Sequence, residues 1–297
     1  MSEDKTQKIK RLKLMANTIR QDIIKMLYHA KSGHTAGSLG MADVFSALYF
    51  EIARHNPKDA NWQLRDKIIL SNGHICPALY SALARSGYFD VKELDTLRKI
   101  DSRLQGHPHI GDLPAIENSS GPLGQGLSQA CGIALANRLD KKDSVVFCLT
   151  SDGEHQEGQT WEAVMFASKY KLSNLIQIMD RNFIQIDGNT ETIMPLEPLA
   201  KKYESFGWNF IEIDGNNMEQ IVSTLERIVS DARKCEQQND QKNSKERPTI
   251  VIAKTIAGKG FSLSNNQYKW HGKAPNFDEM KLAISELEKE REIIAHE

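Results

Sequence analysis

Five short β-prone runs, Lys67–Leu70, Ser144–Leu149, Leu175–Met179, Asn209–Ile213 and Thr249–Ala253, alternate along the chain with stretches of helical periodicity. This alternation predicts an α/β protein with an open, mostly parallel sheet and helices on both faces, because parallel neighbours need crossovers and the crossover helices cover the sheet. Each run ends in a polar cluster: SNGH (71–74), TSDGEHQEG (150–158), DRN (180–182), DGNN (214–217) and KTIAGKG (254–260). Open α/β sheets bind ligands at the carboxyl ends of their strands. The five clusters should therefore meet along one edge.

Around this sheet the pattern is helical. From Ile9 to Ala30, Leu12, Met15, Ile19, Ile23 and Met26 recur at three- and four-residue steps, and Gly33 follows as a stop. A second apolar helix is expected over Asp43–Ala53, another over Gly124–Arg138, and a last one from Phe277 to about Ile294 with Met280, Ile284 and Leu287 on one stripe. The last is expected to pack on its own domain in preference to a partner chain. Cys235–Arg247 is polar and aperiodic and reads as a surface loop. The expectation is one domain over residues 1–297, with a helical flank at its start and a helix from about 277.

Charge is nearly balanced, 38 Lys+Arg against 39 Asp+Glu, which argues against nucleic acid or an anionic membrane as the main partner. No apolar run reaches the roughly 18 residues of a bilayer span, and MSEDKTQKIKRLK lacks a secretory apolar stretch, so a cytoplasmic location is expected. Cys76, Cys131, Cys148 and Cys235 form no Cys-x-x-Cys pair and read as buried apolar residues or free thiols.

Chemistry concentrates in two places. Asp152 offers a carboxylate at one strand end and Asn182 an amide oxygen at the end of the next. A hard divalent cation takes such oxygens, and Gly153 would let main-chain N–H groups approach a phosphate. Singly, each is better read as a turn or capping residue. Together, Asp-Gly-x4-Gly, a helix, a strand and Asn form a pattern that resembles the diphosphate motif of thiamine-diphosphate enzymes, with Ser151 where Gly is usual. The second place is a set of histidines beside glycines: His34 in KSGHTAGSLGMAD, His74 in LSNGH, His107 in GHP, and His271 in WHGKAP. With SSGPLGQGLSQACG (119–132) these segments resemble the transketolase family, in its order and over most of the chain. His29, His55, His109, His155 and His296 match no such motif and read as surface or satisfied core residues.

The resemblance implies thiamine diphosphate and Mg2+ (or Ca2+) as cofactors. It places Asp152, Asn182 and the main-chain oxygen of Ile184 on the cation, with Gly153 at the diphosphate. His74 and His271 would touch the diphosphate, and Gly121, Pro122 and Leu123 the aminopyrimidine. Ile186 and Ile256 would be apolar walls, and His34, His107 and His271 would serve the reacting sugar. Glu157 stands at the cofactor loop; the resemblance puts it in an acidic network between active sites, while helix entry alone would also favour a carboxylate there. In this family a two-carbon ketol unit passes from a ketose phosphate to an aldose phosphate; the cofactor supplies the carbanion and electron sink, and the protein orients, moves protons and excludes water.

Two departures stand out. SGHTAG replaces the usual SGHPG, and the chain ends soon after WHGKAP, where the family continues into a pyrimidine-binding half that carries the activating glutamate and most phosphate contacts. The resemblance therefore implies a C-terminal partner chain, the pyrimidine-binding half, in a two-fold heterotetramer with two copies of each chain. The alternatives are a subunit of another thiamine-diphosphate enzyme, such as a 2-oxo acid dehydrogenase alpha chain or a 1-deoxyxylulose-5-phosphate synthase fragment, and a non-catalytic cofactor-binding relative.

Overall fold

The computed structural model describes residues 3–238 and 246–297. Five parallel strands form the main sheet: β1 (Lys67–Leu70), β2 (Val146–Ser151), β3 (Leu175–Arg181), then, beyond a small hairpin of β4 (Ile184–Gln185) and β5 (Gly188–Asn189), β6 (Asn209–Asp214) and β7 (Thr249–Lys254). Their order is β1-β2-β3-β7-β6. The parallel open sheet and all five expected strands are present. The second is shifted: pairing continues through Ser151, which sits opposite Asp180, so the strand ends two residues later than its apolar run and delivers Asp152 directly into the crevice. β3 also outruns its apolar stretch and takes in Asp180 and Arg181.

Helices cover both faces, as the alternation requires. One face carries α1 (Lys5–Ala30), α2 (Ala36–Gly40), α3 (Ala42–Ala47) and α4 (Cys76–Ser86). On the other lie α5 (Gly126–Leu139) and α6 (Gly158–Lys169), followed, after the short α7 (Thr190–Ile193), by α8 (Leu199–Ser205). α9 (Met218–Gln238) and α10 (Phe277–His296) return to the first face. Alternate strand residues divide accordingly: Phe147, Leu149, Ile176, Ile178 and Val251 face α1, α3, α4 and α9, whereas Val146, Cys148, Met179, Ile250 and Ile252 face α5, α6 and α8.

α1 is the centre of the first layer. Leu12, Ile19, Ile23, Ile24 and Leu27 are fully buried, and at about 1.5–3 kcal/mol each their transfer contributes about 8–15 kcal/mol. Asp4 caps its start by accepting from Gln7 N at 2.8 Å. α10 lies along it: Asn17 Nδ2 donates to the Leu287 carbonyl and to Glu290 Oε2, each at 2.9 Å. The expectation that this last helix packs on its own domain holds. A capping box of Asn276 and Glu279 opens it.

Two expected boundaries are corrected. The helix expected over Asp43–Ala53 begins earlier, is broken at Met41, and gives way at Leu48–Ile52 to a wider π turn in which Ala53 N–H reaches the Leu48 carbonyl at 2.9 Å. That turn leaves the Tyr49 carbonyl free for His55 Nε2 at 2.6 Å. The polar stretch expected as a loop from Cys235 is still helical through Gln238, because α9 carries an apolar stripe of Ile221, Leu225, Ile228 and Ala232 that holds it to the sheet; residues 239–245 lie outside the described residues. Cys76, Cys131 and Cys148 are buried free thiols and Cys235 is half-buried. No helix among the described residues is long and apolar enough to cross a membrane.

Candidate functional site

The polar clusters that end the strands are linked at the carboxyl edge of the sheet, Ser71 to Glu154, Phe183 N to Asp152, Thr255 to Asp180 and Ile256 N to Asn216, and three histidines gather in the crevice there. His74 stands on a single 3-10 turn, Gly73–Ile75, between β1 and α4. His34 precedes α2, and His271 follows the turn Tyr268–Trp270. Their ring centroids form a near-equilateral triangle: 5.0 Å for His34–His74, 5.3 Å for His34–His271 and 5.2 Å for His74–His271. His107 is more exposed and leans on the glycine turn. Gly121 has φ +135°, and a Cβ there would lie 3.3 Å from His107 Cγ, so the close approach of ring and backbone requires glycine.

Thr35 occupies the position where the resemblance leads one to expect proline, and its hydroxyl donates to the Lys273 carbonyl at 2.5 Å. That bond ties the His34 loop to the His271 loop, a contact proline could not make.

All four imidazoles are held below their ordinary range. At His34 burial is the main cause, with the positive potential of His271, Arg98 and His107 adding to bring it down to about 4. His74 is depressed by burial and then by His271 and His34; burial likewise lowers His271 and, with Arg98, His107. Near neutral pH the cluster is uncharged, and each ring has one nitrogen that donates and one that accepts. Groups in that state can pass protons to and from sugar hydroxyls.

Beside the histidines lie the oxygens expected to hold a cation. Asp152 leaves β2 at 1% exposure; its Oδ1 accepts from Gly153 N at 2.7 Å and its Oδ2 from Phe183 N at 2.7 Å. Burial pushes its carboxyl up to about 6 against the lowering effect of Arg181 and these N–H groups. Asn182 accepts from Ile184 N at 3.0 Å through Oδ1 and donates to Asp180 Oδ2 at 2.8 Å. Asp180, bonded also by the Thr255 hydroxyl, is pushed up to about 7, chiefly by burial and then by the Asp152 charge.

The donor set fits the groups the resemblance implies. One carboxylate, one amide oxygen and the Ile184 main-chain oxygen are hard ligands that Mg2+ or Ca2+ would accept. Next to them Gly153 leaves space: an added Cβ would meet only Gln185 Cβ, at 3.5 Å. Around the same crevice His34 Nδ1, both amide atoms of Asn72, Ser120 Oγ and Gln185 Nε2 are buried without a hydrogen-bond partner. Orphaned polar atoms in a native crevice call for a polar ligand or water.

Of the remaining expected residues, Pro122 is exposed and Leu123 half-buried beside Gly121. Ile186 (68% exposed) and Ile256 (39%) belong to neither core cluster, so neither is spent on packing the sheet. Glu157 is exposed at the entry of α6 and makes no capping bond there. The carboxylate that organises the loop is Glu154, which sequence reasoning misses. It is 1% exposed and accepts from the Ser71 hydroxyl, from Gly124 N at 2.7 Å and from Ser151 N at 3.1 Å. One carboxylate thus joins the His74 loop, the glycine turn and the Asp152 loop. The available signal is a second acid inside SDGEHQEG, but only the 3-10 turn Gly153–Gln156 folds it beneath the loop.

His155, expected to be a satisfied core residue, is one. It is buried between the Ser151 carbonyl (2.7 Å), the Tyr203 hydroxyl (2.8 Å) and the Gln177 amide (3.0 Å).

Comparison with known proteins shows the family. Residues 11–292 match the family described as transketolase, thiamine diphosphate binding domain. The chain is 39% identical over 279 residues to the 6-deoxy-6-sulfo-D-fructose transketolase subunit SqwG of Clostridium sp., covering 94% of this chain and 97% of the relative. It is 37% identical over 279 residues to an apulose-4-phosphate transketolase subunit of Phocaeicola vulgatus, covering 94% of each. To human transketolase it is 35% identical over 268 residues, which is 90% of this chain but 40% of the human one. Among solved structures, a transketolase variant from Pichia stipitis superposes with a TM-score of 0.81 at 30% identity, covering 97% of this chain and 46% of that one. The chain thus spans less than half of the single-chain transketolases and nearly all of the two subunits. With its parallel sheet, histidine cluster and Asp152–Asn182 oxygens, it belongs to the transketolase family and corresponds to that family's thiamine diphosphate-binding domain.

Proposed function

We propose that this chain is the diphosphate-binding subunit of a two-chain transketolase, moving a two-carbon ketol unit between sugar phosphates with a partner that supplies the pyrimidine-binding half. The observation that carries this reading is the convergence of His34, His74 and His271, neutral and about 5 Å apart, beside the buried Asp152 and Asn182. Thiamine diphosphate, when bound, supplies the carbanion chemistry. Asp152, Asn182 and Ile184 would hold Mg2+ or Ca2+, and Gly153 would leave room for the diphosphate. His74 and His271 would bind it by donating N–H bonds. Gly121, Pro122 and Leu123 would support the aminopyrimidine, and Ile186 and Ile256 would cover its apolar flanks. His34, His107 and His271 would move protons at the sugar hydroxyls, and Glu157, exposed at the loop, would face the acidic network of the assembled enzyme.

The names of the two subunit relatives support a partner chain, and a cytoplasmic two-fold heterotetramer is the assembly that completes such a site twice. Pentose 5-phosphates are the default substrates; a sulfonated or branched sugar, as in those relatives' names, is the variant to test beside them. Native purification with mass spectrometry of stoichiometric companions tests the reading. It predicts a second chain with a pyrimidine-binding domain, and ketol transfer only when both chains are mixed. Purification of this chain alone, inactive with every candidate partner, would leave the non-catalytic cofactor-binding reading in its place.

A further inference from the structure

Arg181 has so far no role in the site, yet it is among the largest fully buried side chains of the protein, 1% exposed. As the last residue of β3 it leaves the sheet beside Asp152, the first residue after β2, because Ser151 and Asp180 are ladder partners. Its guanidinium lies 3.9 Å from the centroid of the Phe183 ring. Nη1 donates to Asp152 Oδ2 at 3.2 Å and to Thr190 Oγ1 at 3.0 Å, while Nη2 donates to Glu191 Oε1 at 2.7 Å and Glu197 Oε1 at 3.0 Å.

The two sides of this arginine differ. Asp152 and Arg181 are each 1% exposed, whereas Glu191 and Glu197 are 28% and 55% exposed. Solvent screens the outer pairs, and the inner pair keeps most of its Coulomb interaction. The only formal negative charge among the expected cation ligands is therefore offset at close range by a fixed positive one. Asp180, whose carboxylate is held by Thr255 and Asn182, lies behind Asn182 and is common to every comparison below.

We propose that Arg181 is a positioning and charge-setting residue for the cation site: it fixes the Asp152 carboxylate and offsets its charge, so that a divalent cation binds firmly only when a diphosphate brings its own negative charge. This rests on the reading in which Asp152, Asn182 and Ile184 hold the cation. Outer partners of metal ligands commonly shift metal affinity by about 10–100-fold on mutation, usually as a loss. Here the expected sign is a gain. A neutral residue at this place removes a positive charge that the cation must otherwise approach.

The test is titration of the full chain with Mn2+, free Mn2+ being followed by electron paramagnetic resonance, at one pH and ionic strength, with and without inorganic diphosphate. Arg181→Gln keeps an N–H donor without the charge, and should bind Mn2+ alone about tenfold or more tighter than the parent. Arg181→Lys keeps the charge but loses the fork and the stacking on Phe183, so it should bind Mn2+ alone no tighter than the parent. A merely structural role predicts weaker binding in both, and that result, or no change in Arg181→Gln, overturns the inference. Should Arg181→Gln fail to fold, Arg181→Met, neutral and with a stem that can still pack on Phe183, tests the same charge: Mn2+ alone should again bind more tightly than to the parent, and equal or weaker binding overturns the inference. Asp152→Asn run alongside separates the two failures: if it binds Mn2+ like the parent, the cation-site reading itself is wrong, whereas loss of binding there with no gain in Arg181→Gln removes only the role of Arg181.

Discussion

Truncating Glu154 to alanine should cost this protein more than removing any exposed acid, and the amount follows from its bonds. The carboxylate accepts from Gly124 N, Ser151 N and the Ser71 hydroxyl in a place that water does not reach. Alanine leaves two main-chain N–H groups stranded, at about 1–3 kcal/mol each. The Ser71 hydroxyl can turn elsewhere, since its oxygen already accepts from Gly126 N at 3.0 Å. Against this stands relief of the carboxylate's own burial, which raises its pKa and so marks a real desolvation cost. The donors outnumber that term, and the net loss should be about 2–4 kcal/mol, or about 4–16 °C in Tm. Glutamine should lose less, about 1–2 kcal/mol, because one oxygen still serves two donors and only the N–H of Ser151 then meets another N–H. Urea unfolding followed by far-UV circular dichroism measures both. A loss below about 1 kcal/mol in Glu154→Ala, or a larger loss in Glu154→Gln than in Glu154→Ala, would show that this carboxylate does not tie the three loops together.

Three further expectations can be checked on the same protein. Gly73→Ala would place a Cβ 2.4 Å from Ser120 Oγ and 2.9 Å from Gly121 N; forcing the His74 turn off the Gly121 turn should cost about 1–3 kcal/mol and weaken thiamine diphosphate binding in the assembled enzyme, and unchanged affinity by calorimetry would mean that the two turns do not form one cofactor wall. His107→Ala should leave cofactor affinity near the parent's and lower turnover by about 10²–10⁴; loss of cofactor first would remove its proton-transfer role. Acid should destabilise the cofactor-free chain. His34, His74, His107, His155 and His271 are all held below 6.5 by burial, so the unfolded chain takes up protons there before the folded one does. Asp152 and Asp180, pushed up to about 6 and about 7, bind protons preferentially in the folded state and offset only part of this. The urea midpoint should fall between about pH 7.5 and 5.5, and a flat or rising midpoint would contradict the sign.

How far the sequence could be read depended on the range of the forces involved. The strands were legible because Ile68–Leu70, Val145–Leu149 and Ile250–Ala253 are buried on both faces and had to be continuous apolar runs. Their ends were not, since Thr150, Ser151, Asp180 and Arg181 are strand residues by ladder pairing and carry no apolar signal. The histidine triangle was legible only through motif resemblance. No spacing rule places residues 34, 74 and 271 within one ring's reach of each other, because that requires the topology of the whole sheet. Glu154 and Arg181 were hidden for a related reason: each sits in a short polar cluster where sequence distance says nothing about which side chain turns inward. Thr35, where the motif usually has proline, gave no hint of its partner, because its bond to the Lys273 carbonyl crosses 238 positions.

The packing of α10 along α1 sets an order of events during synthesis. Asn17 finds its acceptors on Leu287 and Glu290, 270 and 273 positions later, and at translation rates of about 5–20 residues per second that delay is roughly 13–55 s. For that interval the surface of α1 that α10 covers stays open while the sheet assembles around its other side. That strip is closed only when Ala283 and Leu287, both fully buried in the folded chain, arrive with α10.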